Sequence, residues 1–277
     1  MIILSAFFFA CMNVSVRLAG DLPSVEKSFF RNLVAAVFAA VILCKNRTVP
    51  KVDKKYWGPL ILRCVCGTLG ILCNFYAIDH LVLSDANMLN KLSPFFTIIF
   101  SYFLLKERLT LFQGIAVVVA FMGALFIIKP TGNMTDPAAL IGMLGGAGAG
   151  AAYSFVRVLG KRGVNGKLIV MFFSAFTCVF ALPFLIGHFA PMKWWQVAAM
   201  IAAGFGGAGG QIFVTKAYFY APAKEISVFD YSQIMFSALM GFLVLGQKPD
   251  MLSLCGYVII CTTAVCMYFY NKNRRTL

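Results

Sequence analysis

The stretch VRLAG at residues 16–20 recurs as VRVLG at residues 156–160, and this offset of 140 positions holds along the chain. Gly67, for example, falls on Gly207. No gap is needed between the first hydrophobic segment and the last. A constant offset of this kind indicates that the chain contains two copies of one structural unit.

The composition places both copies in a membrane. Hydrophobic residues make up 61% of the chain and charged residues 12%, whereas a soluble domain carries roughly 25% charged residues. A helix needs about 17 to 25 apolar residues to cross a bilayer core. Windows of this length lie near residues 1–19, 26–44, 57–78, 82–105, 110–128, 138–158, 167–188, 195–220, 223–245 and 251–270. Backbone groups in lipid must pair within their own segment, so these windows predict helices.

The number of segments in each copy decides the topology. Residues 1–130 and residues 141–270 each hold five segments, which is an odd number, so the second copy enters the membrane from the opposite side. The prediction is an all-α integral membrane fold with ten transmembrane helices, arranged as two inverted five-helix repeats within one membrane domain. Inverted repeats of this kind are typical of secondary transporters.

The net charge of +14 is interpreted through its distribution. If the N-terminus is cytoplasmic, the cytoplasmic connections include Lys51, Lys54, Lys106, Arg108, Lys161, Arg162 and Lys272, and the other side holds Lys27, Lys129, Lys193 and Lys248. This bias follows the positive-inside rule and predicts a multi-pass protein with both termini in the cytoplasm. No nucleic-acid-binding motif accompanies the charge, so nucleic acid is not an expected partner.

Several patterns could indicate chemistry, but each has a simpler explanation. The nine cysteines form no CxxC pair and no His/Cys cluster, so neither a metal nor another cofactor is expected. Residues 204–209 match GxGxxG but lie within an apolar helix, where small residues serve close helix packing. The ten acidic residues include no DxxD or HExxH arrangement, which disfavours the alternative of an integral membrane enzyme.

Polar residues inside the fourth segment indicate a cavity. At about 100° per residue they share one face of a helix whose other residues are apolar. They are Ser84, Asn87, Asn90, Lys91, Pro94 and Ser101. A buried lysine is costly in a membrane and normally faces a partner or a wet cavity. We therefore expect Asn87, Asn90 and Lys91 to bind substrate.

The ninth segment is the repeat mate of the fourth. It carries Ser227, Asp230, Gln233 and Ser237 on one face, and Tyr231 is the counterpart of Lys91. Lys91 either binds a substrate carboxylate or pairs with Asp230, and Asp230 is the candidate for a coupling proton. A structural ion pair without any transport role is the alternative.

Other polar residues extend the predicted substrate site. Arg31 lies inside the second segment, and Asn13 and Tyr153 are repeat mates one turn before Arg17 and Arg157. The predicted substrate-binding set also includes Ser227, Tyr231 and Ser237. Arg17 and Arg157 are candidates for gates, with interfacial anchoring as the alternative.

Three stretches of the first repeat resemble a known family, namely YAI at residues 76–78, LSPFFT at 92–97 and LKERLT at 105–110. With these stretches the chain resembles the EamA-type carriers of the drug/metabolite transporter superfamily, and Arg31 is similar to an arginine common early in the second span of that family. The second repeat departs from the family pattern, because GQKP stands at residues 246–249 where Gly-Glu is usual. This departure argues against a symmetric role for Glu107.

The resemblance implies an inner-membrane carrier with an alternating-access cycle. Lys91 and Arg31 favour an anionic or zwitterionic substrate. We therefore expect proton-coupled export of a small metabolite, an amino acid or another carboxylate. A multidrug or cationic efflux carrier is the alternative. The expected partners are the substrate and the lipid bilayer, and the sequence leaves a homodimer open.

Overall fold

A computed structural model describes residues 1–20, 22–45, 53–80, 89–128, 137–187, 189–246 and 251–276. Ten long helices and no strand occur in these ranges. They are α1 (Ile2–Leu18), α2 (Ser24–Lys45), α3 (Trp57–His80), α4 (Ser93–Leu105), α5 (Leu111–Ile128), α6 (Pro137–Lys161), α7 (Gly166–Gly187), α8 (Trp194–Tyr220), α9 (Ser232–Leu245) and α10 (Met251–Thr276).

The helices suit a lipid environment. Seven helical segments are long and apolar enough to cross a membrane, and α1, α4 and α5 are shorter apolar helices. Large apolar side chains such as Phe103, Val179 and Ile186 lie exposed on the outside of the bundle, where lipid tails rather than water would cover them. The protein is therefore a multi-pass membrane protein, as the composition predicts.

The packing of the helices follows the repeat. α3 packs against α6, and their counterparts α8 and α1 pack in the same way. The contacts of α4 with α6 recur as contacts of α9 with α1, and the paired counterparts α2–α7 and α5–α10 also pack together. Most major contacts thus have a partner under the 140-residue offset, which confirms the two-repeat fold.

Glycines bring the paired helices into backbone contact. A Cβ atom at Gly148 of α6 would lie 2.9 Å from the carbonyl oxygen of Cys66 and 3.0 Å from the Cα atom of Gly70, both in α3. At the symmetry-related contact, a Cβ at Gly206 of α8 would lie 3.0 Å from the Phe8 carbonyl oxygen of α1. The glycine-rich stretches therefore serve close helix packing, which confirms the sequence interpretation.

One pair of helices breaks the symmetry. α6 packs against α8, but no comparable packing joins their counterparts α1 and α3 in the described part of the chain. Arg157 closes α6, and its repeat mate Arg17 closes α1 at the opposite end of the bundle. The bundle is closed at the Arg157 end, where α6 meets α8.

Candidate substrate site

Both repeats interrupt a helix at the same place. Residues 89–90 are helical, Lys91 and Leu92 form a turn, and α4 starts at Ser93. In the second repeat, a short α-helix at Ala223–Ile226 and a 3-10 segment at Ser227–Tyr231 precede α9. Regular α-helical hydrogen bonding is therefore interrupted before α4 and before α9, although the backbone keeps right-handed helical angles at Leu92, Tyr231 and Ser232. The assumption of 100° per residue fails at these places.

The sequence contains the cause of the first break. Pro94 occupies the first turn of α4, where its missing N–H is not needed. A proline there cannot donate to the carbonyl of Asn90, so the α-helical hydrogen bonding cannot continue across Lys91 and Leu92. The lysine therefore lies at a point where backbone and side chain both present polar groups.

Lys91 and Asp230 form a buried ion pair across this junction. Nζ of Lys91 lies 3.4 Å from Oδ2 of Asp230, and the two side chains are only 9% and 12% exposed. Nζ also donates to Oε1 of Gln233 at 2.8 Å. The Tyr231 hydroxyl donates to the carbonyl oxygen of Lys91 at 3.1 Å. Lys91 and Tyr231 are repeat mates, so this hydrogen bond joins equivalent positions of the two halves.

The contact of Lys91 with Asp230 is longer than its hydrogen bond to Gln233. Charge-assisted N–H···O bonds are about 2.7–2.9 Å long when well formed. The contact of Lys91 with Gln233 falls within this range, whereas its contact with Asp230 is longer. The amide therefore fixes the lysine, and the carboxylate is the partner that a ligand can replace more easily.

Tyr153 lies beside the pair on the closed side. Its ring stacks on Tyr218 of α8, with centroids 5.2 Å apart, and it packs against the core cluster that contains Tyr231. Its repeat mate Asn13 is exposed. The difference follows from the asymmetric closure, because α6 meets α8 whereas α1 stands away from α3.

The other predicted residues are less closely gathered. Asn90 is half-buried next to Lys91 in the chain, and Ser237 is half-buried further along α9. Ser227 is fully buried, and its hydroxyl has no hydrogen-bond partner in the described part of the chain. Ser84 and Asn87 lie outside the described residues.

Arg31 is buried rather than interfacial. Only 6% of it is exposed, and a Cβ atom at Gly207 would lie 2.9 Å from its Nε. The absence of a side chain at Gly207 thus provides the space that the guanidinium occupies. Its Nε has no hydrogen-bond partner among the described residues.

Sequence reasoning missed Arg63, in the second turn of α3. It is 2% exposed, its Nη2 donates to Oε1 of Gln211 at 3.2 Å, and its guanidinium lies 4.1 Å from the ring centre of Phe173. The signal was present, since a charge within a predicted span is costly unless it has a role.

The closed end is held by a charged cluster. Nε of Arg157 lies 3.2 Å from Oε1 of Glu107, and Nζ of Lys161 lies 2.9 Å from the same oxygen. Arg157 also donates through Nη1 to the carbonyl oxygens of Tyr218 and Phe219 in the last turn of α8. Because these bonds connect α6, α8 and the chain after α4, they stabilise closure at this end.

A buried ion pair between repeat-related helices of an inverted-repeat bundle is typical of membrane carriers, and comparisons with known proteins identify the class. The sequence profile described as the EamA-like transporter family matches residues 1–129 and 140–269. The pseudopaline exporter CntI of Pseudomonas aeruginosa is 31% identical over 270 residues, which cover 96% of this chain and 93% of the relative. Human solute carrier family 35 member G1 is 25% identical, with 95% of this chain and 76% of the relative covered.

A solved crystal structure has the same fold. It superimposes with a TM-score of 0.82 at 16% sequence identity and covers 99% of this chain and 96% of that chain. This likeness extends over essentially all helices of both repeats. The chain belongs to the EamA-like transporter family. It is a membrane transporter of small molecules and not an enzyme.

Proposed function

We propose that this protein is a secondary active carrier that exports a small zwitterionic or anionic metabolite, an amino acid or another carboxylate, by proton-coupled alternating access. The observation that carries the proposal is the buried Lys91–Asp230 pair at two interrupted helices. The direction is supported by the relative that is named an exporter. The basic connections support an inner-membrane location with cytoplasmic termini, so the Arg157 end would face the cytoplasm.

The hydrogen bond between repeat mates supports a central position for this site. A residue and its symmetry mate touch only near the axis that relates the two halves, and Tyr231 bonds Lys91. A site on the axis keeps similar surroundings when the halves rock against each other, as alternating access requires. Substrate bound there can be exposed first to one side and then to the other.

An ion pair can be replaced by a molecule that carries both charges. A substrate carboxylate would bind Nζ of Lys91, which Gln233 continues to hold at 2.8 Å. A substrate ammonium would bind the Asp230 carboxylate. Every buried charge stays paired in this exchange, which avoids the large cost of an isolated buried ion. A zwitterion therefore fits the two groups better than a simple cation does.

Competition for Asp230 provides the coupling to protons. A proton on its carboxylate removes the charge that an ammonium group needs, so proton and substrate cannot share this residue. Mutual exclusion on one site, combined with alternating access, produces exchange of a proton for a substrate. An inward proton gradient would then drive export.

The test is transport into proteoliposomes under an imposed pH gradient. The protein is offered a mixture of amino acids, organic acids and quaternary amines, and mass spectrometry identifies what accumulates. Accumulation of amino acids or other carboxylates that depends on the gradient is the expected result. Accumulation of the quaternary amines instead would support the cationic efflux alternative and overturn the zwitterion assignment.

Variants separate the roles of the two charges. Lys91→Ala should abolish both gradient-driven transport and substrate exchange, because the carboxylate loses its cation. Asp230→Asn should abolish gradient-driven accumulation. Lys55→Ala removes an exposed lysine and serves as the matched control. Gradient-driven transport at the control rate in Asp230→Asn would exclude Asp230 from coupling.

A further inference from the structure

Two buried arginines near the proposed site lack counter-ions. Arg31 of α2 and Arg63 of α3 are 6% and 2% exposed, and each retains an Nε without a hydrogen-bond partner in the described ranges. No carboxylate of the described residues forms an ion pair with either guanidinium. An arginine cannot lose its proton in a protein, so both groups stay charged and require an anion or a polar partner.

The repeat builds the space for both guanidinium groups. Gly67 and Gly207 are repeat mates. A Cβ atom at Gly67 would overlap Nη1 of Arg63, and one at Gly207 would lie 2.9 Å from Nε of Arg31. Equivalent glycines in the two halves thus accommodate one buried arginine each. Two independent accommodations of a costly charge indicate a shared purpose rather than chance.

The arginines lie along one face of α8 that continues toward the ion pair. Arg31 lies against Gly207 and Arg63 donates to Gln211, which are one turn apart on α8. Tyr218 of the same helix stacks on Tyr153 and packs in one core cluster with Tyr231, which bonds Lys91 of the Lys91–Asp230 pair. The two arginines and the ion pair comprise three cations and one carboxylate, so together they have two positive charges in excess.

We infer that the two arginines bind carboxylates of the substrate beyond the one assigned to Lys91, so that the substrate is an amino-polycarboxylate with a net charge near −2. This inference rests on the proposed function. An amine on Asp230 and a carboxylate on Lys91 balance the ion pair, and two further carboxylates balance Arg31 and Arg63. The planar guanidinium suits this role because it holds a carboxylate through two parallel hydrogen bonds.

A graded series of small amines tests this charge balance. Glycine, iminodiacetate and nitrilotriacetate carry one, two and three carboxylates on a single amine. Their affinities for the purified protein are measured by titration calorimetry in metal-free buffer at matched ionic strength. Each added carboxylate that meets a buried arginine should strengthen binding about tenfold or more. Equal affinities, absence of binding, or equal competition by chloride would overturn the inference.

Variants link the effect to the arginines. Arg63→Gln should remove at least one tenfold step from the series, and Arg31→Gln should do the same if Arg63→Gln fails to fold. Arg63→Lys keeps the charge and should retain part of the step. Arg162→Gln removes an exposed arginine and should leave the series unchanged. An unchanged series in both Arg63→Gln and Arg31→Gln would overturn the assignment.

Transport of the same three compounds separates this inference from the proposed function. Gradient-driven transport without preference among them would overturn the polycarboxylate inference and leave the carrier proposal standing. If affinity rises along the series but no gradient-driven transport occurs, the polycarboxylate inference stands and the carrier proposal is overturned. Preference for nitrilotriacetate in both binding and transport is the expected result.

Discussion

Neutralising Glu107 should open the end of the bundle that is now closed. Glu107 accepts contacts from Arg157 at 3.2 Å and from Lys161 at 2.9 Å. In Glu107→Gln the buried guanidinium of Arg157 loses its counter-charge but keeps its bonds to two carbonyl oxygens of α8. The closed state should therefore lose stability relative to a state in which α6 and α8 separate.

The magnitude follows from the two contacts. A hydrogen bond to a charged group contributes about 1.5–3 kcal/mol, and an exposed ion pair contributes roughly 1 kcal/mol at most. Lys161 is 43% exposed, so most of the loss comes from Arg157. Since the carbonyl bonds remain, we expect a net loss of about 2 kcal/mol, which corresponds to roughly a 30-fold change in the equilibrium.

Hydrogen–deuterium exchange measures this change without labels. Amides in the last turns of α6 and α8 should exchange roughly 30-fold faster in Glu107→Gln, because exchange follows the population of the open form. Lys161→Gln is the matched control and should change exchange little. Unchanged exchange at both helix ends in a folded Glu107→Gln protein would refute the role of this cluster in closure.

Three further predictions concern thermal unfolding of the purified protein. Lys91→Met and Asp230→Asn should each lower the free energy of unfolding by about 3 kcal/mol, because each leaves a buried charge unpaired. The double variant should lose clearly less than the sum of the two single losses, and simple additivity would contradict a coupled pair. Gly148→Ala should lower the free energy of unfolding by about 1–3 kcal/mol, because the new Cβ meets backbone atoms of α3. Gly58 has open space around it, so Gly58→Ala should be neutral. Equal effects of the two variants would argue against close packing at Gly148. Tyr231→Phe should cost about 1–2 kcal/mol by leaving a buried carbonyl oxygen without its donor, and an unchanged melting temperature would show that water replaces the hydroxyl.

The repeat and the ten spans were accessible from the sequence because hydropathy and a constant offset are local properties that lipid enforces on every segment. The Lys91–Asp230 contact was raised only as one of two alternatives. The two residues lie 139 positions apart, and symmetry can place their helices near one axis without setting a distance. The structure supplies that distance.

The interruptions of the helices were harder to predict. Helical periodicity assumes an unbroken helix, yet the backbone turns at Lys91 and tightens to a 3-10 segment before Ser232. Pro94 lies in the predicted polar stripe, but its place in the first turn of α4 depends on where tertiary packing starts that helix. Arg63 could have been found, because a buried charge in any span is informative on its own.

The difference between the two ends of the bundle can be traced to one pair of repeat-equivalent positions. Arg157 and Arg17 are repeat mates, but the position equivalent to Glu107 is Gln247, which lies outside the described residues. A carboxylate pairs with Arg157 at one end of the bundle, and the equivalent position for the other end has only a neutral amide. Closure at the Arg157 end therefore gains an ion pair that closure at the Arg17 end does not gain from this position. The two halves therefore differ in the contacts available at their ends, and the Arg157–Glu107 pair lies at the end where α6 meets α8.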